Sequence, residues 1–452
     1  MTTDPRDVIS NARMGGLQIG IVAITVLLNA MDGFDVLSIS LALPGIAADW
    51  GVDTTVLGYV VSMEIFGMAI ASMLLGGVAD RIGRRPTILG CLVVMAIGMF
   101  MVTTVQSVAT LSFWRVVTGL GIGGILATAG AVAAEFSSAR RRHLSVSIMA
   151  IGYPIGGALG SYVVRNLLVT YDWRAIFYLG AAATVVCIPL AYFFVPESVH
   201  WLARKQPEGA LERINRTLRR MGHQAVSALP ALTAEARKKS AGDILTPGLR
   251  TITIILTLAY FFHIGTYYFI LKWVPTIVAT NMGFDAATGA GMLTWVNVGG
   301  MTGGLVLGLL TSRMGIKGLT IGVLVLTTVS VALFGRSPAD LTVIAWACGL
   351  AGFFGNAGIV GLYAIFAHAF PTHVRAFGTG FVIGMGRGGA ALAPIVAGYF
   401  FAAEVSLPTV ALVLGLWSLC AAGVLAFLKI APDRPAEEAA TEPQLRPSLA
   451  RP

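Results

Sequence analysis
The sequence predicts an all-α membrane protein with twelve transmembrane helices in two pseudo-symmetric six-helix bundles, and three observations predict it. Of its 452 residues, 56% are hydrophobic and 12% charged, and the mean hydropathy is +0.80. That is too apolar for a water-soluble globule. Runs of the roughly 20 apolar residues that a helical crossing needs recur twelve times along the chain. The second half also repeats the first: Gly76, Arg81, Gly83, Arg85 and Trp114 return 232 positions later as Gly308, Arg313, Gly315, Lys317 and Trp346. Such an internal duplication implies two related six-helix units. The expected division is an N-terminal bundle (1–195), a cytoplasmic linker (196–250), a C-terminal bundle (251–430) and a disordered cytoplasmic tail (431–452).

The formal net charge of +9 is explained by where it falls. Lys and Arg crowd the turns 79–86 and 136–143, the loop 196–250 and the tail, against Arg165, Arg174 and Arg336 on the other side. This excess places both termini in the cytoplasm and the chain in the cell (inner) membrane. The charge is topological, so no nucleic-acid partner is expected. Cys91, Cys187, Cys348 and Cys420 lie in apolar segments without metal-site spacing and read as core residues; no metal and no cofactor is expected. The first apolar stretch carries acids and no small-residue cleavage site, so it is expected to be retained.

The first helix, α1 (about 17–45), carries Asp32-Gly33-Phe34-Asp35. An aspartate at a helix centre costs roughly +2.5 to +3.5 kcal/mol on insertion scales, so the pair is a functional candidate. Three residues apart, the two acids share a helix face and can point into one polar cavity. The next helix, α2 (about 55–79), carries a third buried acid, Glu64, either satisfied locally or active in coupling. There follows a tight basic turn containing Gly76, Asp80, Arg81, Gly83, Arg84 and Arg85. Its glycines allow close packing and its arginines hold it on the cytoplasmic side. This turn matches the GxxxDRxGRR signature of the major facilitator superfamily, and the chain resembles those transporters. The resemblance implies that the turn latches the cytoplasmic gate.

After the featureless α3 (about 86–106), α4 (about 108–134) carries Arg115, which resembles the arginine of the superfamily's RxxxGxG motif, followed by Gly119, Gly121, Gly123 and Gly124. This spacing satisfies GxGxxG, but no strand precedes it, so it reads as helix packing and not as a dinucleotide site. Glu135 and Arg142 close α4. By resemblance they join the gate; otherwise they form a solvated cluster. In α5 (about 144–169), Gly152-Tyr153-Pro154-Ile155-Gly156-Gly157 lacks the GPxxGG order of the superfamily's drug antiporters, which counts against an exporter. Then α6 (about 174–195) ends in Pro196-Glu197-Ser198-Val199-His200-Trp201-Leu202, a PESxxWL form similar to the sugar-porter and organic-acid branches. The basic linker holds a surface helix around 209–221 and serves as a spacer or a lipid-binding segment.

In α7 (about 251–279), His263 and Tyr267 are candidates for cavity lining, against core packing, and Lys272 is expected near the outer surface. Trp295 and Asn297 are the polar-tipped residues of α8 (about 285–311). In the repeated turn, Ser312 replaces the acid, so a weaker latch is expected around Arg313. After α9, α10 (about 339–367) offers Asn356 and Tyr363. Arg375 begins α11 (about 374–401), and Arg387 lies near its middle, where a guanidinium needs an anion. That anion is either a substrate carboxylate held bidentately or Glu64, which counting along the helices places at similar depth. The last helix, α12 (about 406–430), is apolar.

Within the superfamily, Asp32-Gly33-Phe34-Asp35 resembles the DGxD signature of the aromatic acid:proton symporters, and Arg115, Glu135, Arg375 and Arg387 fall where that family carries charge. The family's usual histidine at the end of the second turn appears here as Lys317. The resemblance implies a monomeric proton-coupled importer of a benzoate-like or hydroxybenzoate-like acid working by alternating access. Asp32, Asp35, Arg115 and Glu64 would handle protons, with Asp35 favoured as the carrier and Arg115 as the aspartates' counter-charge. Arg387, His263, Tyr267, Asn356, Tyr363 and Trp295 would hold the substrate. A proton-driven exporter of amphiphiles and a non-transporting membrane sensor remain as alternatives. No enzyme is expected, since the sequence offers no nucleophile–base constellation, metal cluster or phosphate loop.

Overall fold
Long apolar runs without strand-length punctuation can satisfy their backbone in lipid only as helices, and twelve helices of the described chain are long and apolar enough to cross a bilayer. The computed structural model describes residues 4–230, 244–311, 313–371 and 374–428. The expected tail at 431–452 and the weakened latch at Ser312 lie outside the described residues. The spanning helices are α1 Gly16–Trp50, α2 Thr54–Ile82, α3 Arg84–Val102, α4 Val108–Glu135, α5 Arg142–Leu167, α6 Arg174–Phe194, α7 Arg250–Thr276, α8 Ala286–Leu310, α9 Ile316–Phe334, α10 Leu341–Ala369, α11 Arg375–Ala402 and α12 Leu407–Ala426. Short helices at Pro5–Asn11, Val199–Lys205 and Ala210–Arg220 lie outside the spans. Twelve crossings leave the first and last helices opening onto the same end, here called the basic end because the arginine-rich turns lie there.

The repeat extends to the helix caps. Asp53 accepts a hydrogen bond from the Val56 N–H at 2.9 Å to start α2, and Asp285, 232 residues on, accepts from Thr288 at 2.6 Å to start α8. Ser107 and Asp340 start α4 and α10 in the same way. These caps satisfy amides that the helix itself leaves open. Packing repeats as well: α2 lies on α4, α1 on α5, and α3 on α4 and α6, while α8 lies on α10, α7 on α11, and α9 on α10 and α12. The α4 glycines are contact points, since a methyl group at Gly119 would fall 2.2 Å from the Glu64 carbonyl oxygen and one at Gly121 would press on Met95 of α3.

The bundles meet along α2–α11, α5–α8 and α1–α7. Hydrogen bonds crossing between them gather from mid-membrane to the far end. The Thr54 hydroxyl donates to Gly398 O (3.1 Å), Ser62 to Ala391 O (2.7 Å), and the Tyr59 and Tyr399 hydroxyls stand 2.7 Å apart. Toward the basic end, a side chain placed at Gly77, Gly308 or Gly380 would meet open space. Among the described residues, the bundles are hydrogen-bonded to each other from mid-membrane to the far end and not at the basic end. One packing expectation is corrected: Cys91, Cys187 and Cys348 are buried, but Cys420 is exposed on the surface of α12.

Candidate functional site
Three fully buried charges form a triad across the bundle interface. Glu64 of α2 stands 2.5 Å from Arg115 of α4 and 3.4 Å from Lys272 of α7, and all three side chains are 0% exposed. Arg115 also donates to the Asp35 carbonyl at 3.1 Å and lies over the Phe177 ring. The Lys272 ammonium donates to the Val36 carbonyl of α1. Two cations thus share one carboxylate, and the lysine ties the C-terminal bundle to α1 and α2.

This arrangement corrects three expectations. Arg115 makes its ion pair with Glu64 and not with the aspartates; it bonds the Asp35 backbone and reaches the Asp35 carboxylate only through its field. Glu64 pairs with Arg115 and Lys272 and not with Arg387, whose Nη1 donates to Ser72 Oγ at 3.0 Å. Lys272 is buried and not near the surface, because α7 runs on to Thr276 and then into a π turn, Ile277–Asn281, that carries the chain outward.

Asp32 and Asp35 are both 0% exposed, and among the described residues none of their four carboxylate oxygens has a hydrogen-bond partner. The glycine between them lets α1 approach α5 closely: a methyl at Gly33 would stand 2.1 Å from the Tyr153 carbonyl oxygen. The two acids differ in their electrostatic neighbours. Asp32 is within reach of Asp35 and Arg387, and Asp35 of Arg115 and Glu64. Asp32 is therefore in the field of Arg387 of α11, and Asp35 in that of the triad.

Arg387 lies half-buried at mid-helix and has no carboxylate in contact among the described residues. Four tyrosines stand within electrostatic reach of its guanidinium: Tyr153, Tyr260, Tyr268 and Tyr363. Tyr260 and Tyr363 approach hydroxyl to hydroxyl at 3.1 Å, and the Tyr153 hydroxyl lies close to that of Tyr268. A cation with several phenols in its neighbourhood can hold an anion attached to a flat apolar body.

Two of the other expected substrate residues are not placed there. His263 is fully buried with both ring nitrogens engaged, Nδ1 by Ser418 Oγ at 2.9 Å and Nε2 by Gly355 O at 2.8 Å, so it ties α7 to α12 and α10. Trp295 is 52% exposed on the surface of α8. Tyr267 is buried against Gly355, with its hydroxyl near Gly300. Asn356 is half-buried and donates to Gly300 O at 2.7 Å. Sequence reasoning missed Tyr153, Tyr260, Tyr268 and Ser72 as neighbours of Arg387. It also left Lys272 outside the charge network.

At the basic end, the predicted turn is held within one bundle and its linker. Arg84 bridges Asp80 (2.8 Å) and Glu135 (3.2 Å), while Arg204 reaches Asp80 at 3.1 Å. Gly83 adopts φ +110°, and a side chain there would collide with Glu197, which accepts from the Arg84 and Ser198 amides. The PESxxWL segment therefore clamps the turn, with Trp201 donating to Asp80 O. Gly76 lies in the last turns of α2. Arg85 donates to Tyr192 O, and Arg142 is half-buried without an ion pair among the described residues. Arg81, Arg313 and Arg375 are exposed and likewise unpaired with acids among the described residues; Arg375 bonds Phe370 O. Lys317 caps the end of α12 through Ala426 O and Leu428 O. Among the described residues, no group of three His, Cys, Asp or Glu could hold a metal ion.

Comparisons with known proteins agree with this architecture. The family described as Major Facilitator Superfamily matches residues 25–351 and 256–451. The chain is 25% identical to the "Benzoate transport protein" of Acinetobacter baylyi over 394 residues, 85% of this chain and 84% of the relative. It is 27% identical to the "4-hydroxybenzoate transporter PcaK" of the same organism, covering 86% of each. Among solved structures, the inward open conformation of the xylose transporter XylE from E. coli superposes with a TM-score of 0.71 at 18% identity, covering 94% of this chain and all of that one.

Proposed function
Because the chain belongs to the major facilitator superfamily, we propose that it imports an aromatic carboxylate, of the benzoate or hydroxybenzoate kind, coupled to protons and by alternating access. By family and fold it is a transporter and not an enzyme. Arg387 carries the reading of the substrate. It is a mid-membrane guanidinium whose protein contact is a serine hydroxyl, while the nearby acid of α2 is taken by Arg115 and Lys272. A mid-membrane cation without an ion-pair partner is costly, and a substrate carboxylate supplies the anion. The phenol rings around it supply flat, apolar contact for an aromatic body, and the names of the relatives point the same way.

Proton coupling follows from the two aspartates. An ionised Asp32 within reach of Arg387 competes with the substrate carboxylate for that cation. A proton bound on this pair removes the competition, so proton and anion enter together. Asp35 faces Arg115 and Glu64, whose other partner, Lys272, seals the far end. We therefore keep Asp35 as the carrier that links protonation to the seal: a change of charge there alters how Glu64 divides its hold between Arg115 and Lys272. With the basic end cytoplasmic, the conformation described above faces inward, and release of Lys272 from Val36 and Glu64 begins the return outward.

Purified protein in proteoliposomes tests the reading. An inward-directed proton gradient is expected to accumulate labelled 4-hydroxybenzoate in the lumen. Extrusion under the same gradient would establish the exporter, and binding without flux the sensor; either result overturns the proposal.

A further inference from the structure
A second polar cavity lies away from the central site, where the end of α6, the turn before α3 and the surface helix Ala210–Arg220 meet at the basic end. Its volume is about 270 Å³, and four of its lining residues are arginines: Arg85, Arg213, Arg216 and Arg220. The sole lining carboxylate, Glu197, is buried and accepts from the backbone amides of Arg84 (2.9 Å) and Ser198 (2.8 Å). Arg213 lies within its electrostatic reach, so Glu197 offsets one of the four positive charges and leaves the lining net positive. Arg85 is fixed by donation to Tyr192 O at 2.7 Å and by lying 4.8 Å from the Tyr192 ring centroid. Arg213 makes no ion pair or guanidinium hydrogen bond among the described residues, while Arg216 pairs with Glu212 on the outer face of its helix. The helix sits with Ile214 and Leu218 buried, so its arginines are presented and not folded under.

The rim has a second character. Tyr192 and Phe193, in the last turn of a spanning helix, are 52% and 64% exposed beside the guanidiniums. That places apolar surface at the bilayer edge next to a concentration of positive charge, the combination that retains lipid headgroups. Convergent guanidiniums suit an anion with several tetrahedral oxygens better than one carboxylate, which a single fork already satisfies. The volume falls below the roughly 300–1,000 Å³ of sites for drug-sized ligands; it holds a headgroup and leaves acyl chains to the exposed rings.

We propose that this cavity is a phosphate site at the membrane surface, filled by the headgroup of an anionic phospholipid or by soluble phosphate, and that its occupant pins the linker helix to α3 and α6. The full chain in phosphatidylcholine nanodiscs provides the test, by thermal unfolding and by native mass spectrometry of retained lipid. Phosphatidylglycerol or inorganic phosphate is expected to raise the Tm of the wild type, and Arg213→Gln/Arg220→Gln to bind at least about tenfold more weakly, as loss of charge-assisted contacts implies. A response to phosphatidylglycerol alone identifies a lipid headgroup, and an equal response to inorganic phosphate identifies the soluble anion. Equal Tm of variant and wild type in phosphatidylcholine alone controls for folding, and if they differ the lipid-retention count decides. No response to either anion, or a variant that retains phosphatidylglycerol as well as the wild type, overturns the proposal.

Discussion

Replacing Arg387 with lysine keeps a positive charge at mid-membrane but removes the planar fork. In the structure Nη1 donates to Ser72 at 3.0 Å, and the other guanidinium donors have no hydrogen bond among the described residues. A carboxylate held there bidentately takes two charge-assisted hydrogen bonds. Lysine can supply one in comparable geometry, and the lost bond is worth about 1.5–3 kcal/mol. Arg387→Lys should therefore weaken binding roughly 10- to 150-fold. Glu64→Gln is the contrasting variant: it strands two buried cations, Arg115 and Lys272, at a stability cost of about 3–5 kcal/mol. It leaves the contacts of Arg387 in place, so substrate affinity should change by less than about threefold. Calorimetric titration of purified protein with 4-hydroxybenzoate at fixed pH measures both. Wild-type affinity in Arg387→Lys, or an equal loss in Glu64→Gln, would refute the assignment of the guanidinium to substrate.

Lys272→Met removes the contacts from α7 to Val36 and Glu64 while leaving Glu64 its arginine. Losing a charge-assisted contact worth about 1.5–3 kcal/mol should shift the population at least about tenfold toward the far-end-open state. The readout is labelling of a Tyr59→Cys reporter, placed where Tyr59 now meets Tyr399, by an impermeant maleimide; an unchanged rate would show that the lysine does not seal that end. Gly33→Ala forces a methyl to within 2.1 Å of the Tyr153 carbonyl, and such overpacking costs about 1–3 kcal/mol. Its Tm should fall while that of Gly20→Ala, which meets nothing within 4 Å, should not; equal Tm values would deny the close α1–α5 contact.

Helices and duplication were legible in the sequence because lipid leaves the backbone few options, and the repeat is written at cap positions such as Asp53 and Asp285. The turn itself was legible too, and Asp80, Arg84 and Glu135 meet there, but within one bundle, so these contacts do not test the expected latch between bundles. Partner choice inside the membrane was not. Glu64 lies eighteen residues from the end of α2 at Ile82, and Arg387 twelve from the start of α11 at Arg375. At 1.5 Å per residue they differ by about 9 Å in depth, and the expected α2 boundary near residue 79 concealed much of that difference. Lys272 looked like a snorkelling end residue because nothing in its neighbours announces the π turn beyond it. Trp295 could not be assigned a face because α8 is apolar all round, and periodicity then carries no direction. His263 needed its partners Ser418 and Gly355, which only the fold supplies.

Asp32-Gly33-Phe34-Asp35 holds the central claim, since in the proposed reading its carboxylates respond both to Arg387 and to the Glu64–Arg115–Lys272 triad. Simultaneous recording of external pH and labelled 4-hydroxybenzoate uptake in proteoliposomes tests that claim most directly. Substrate entry into vesicles of wild-type protein should alkalinise the medium, and Asp35→Asn should abolish the alkalinisation. Undiminished proton flux with substrate in Asp35→Asn would contradict the account.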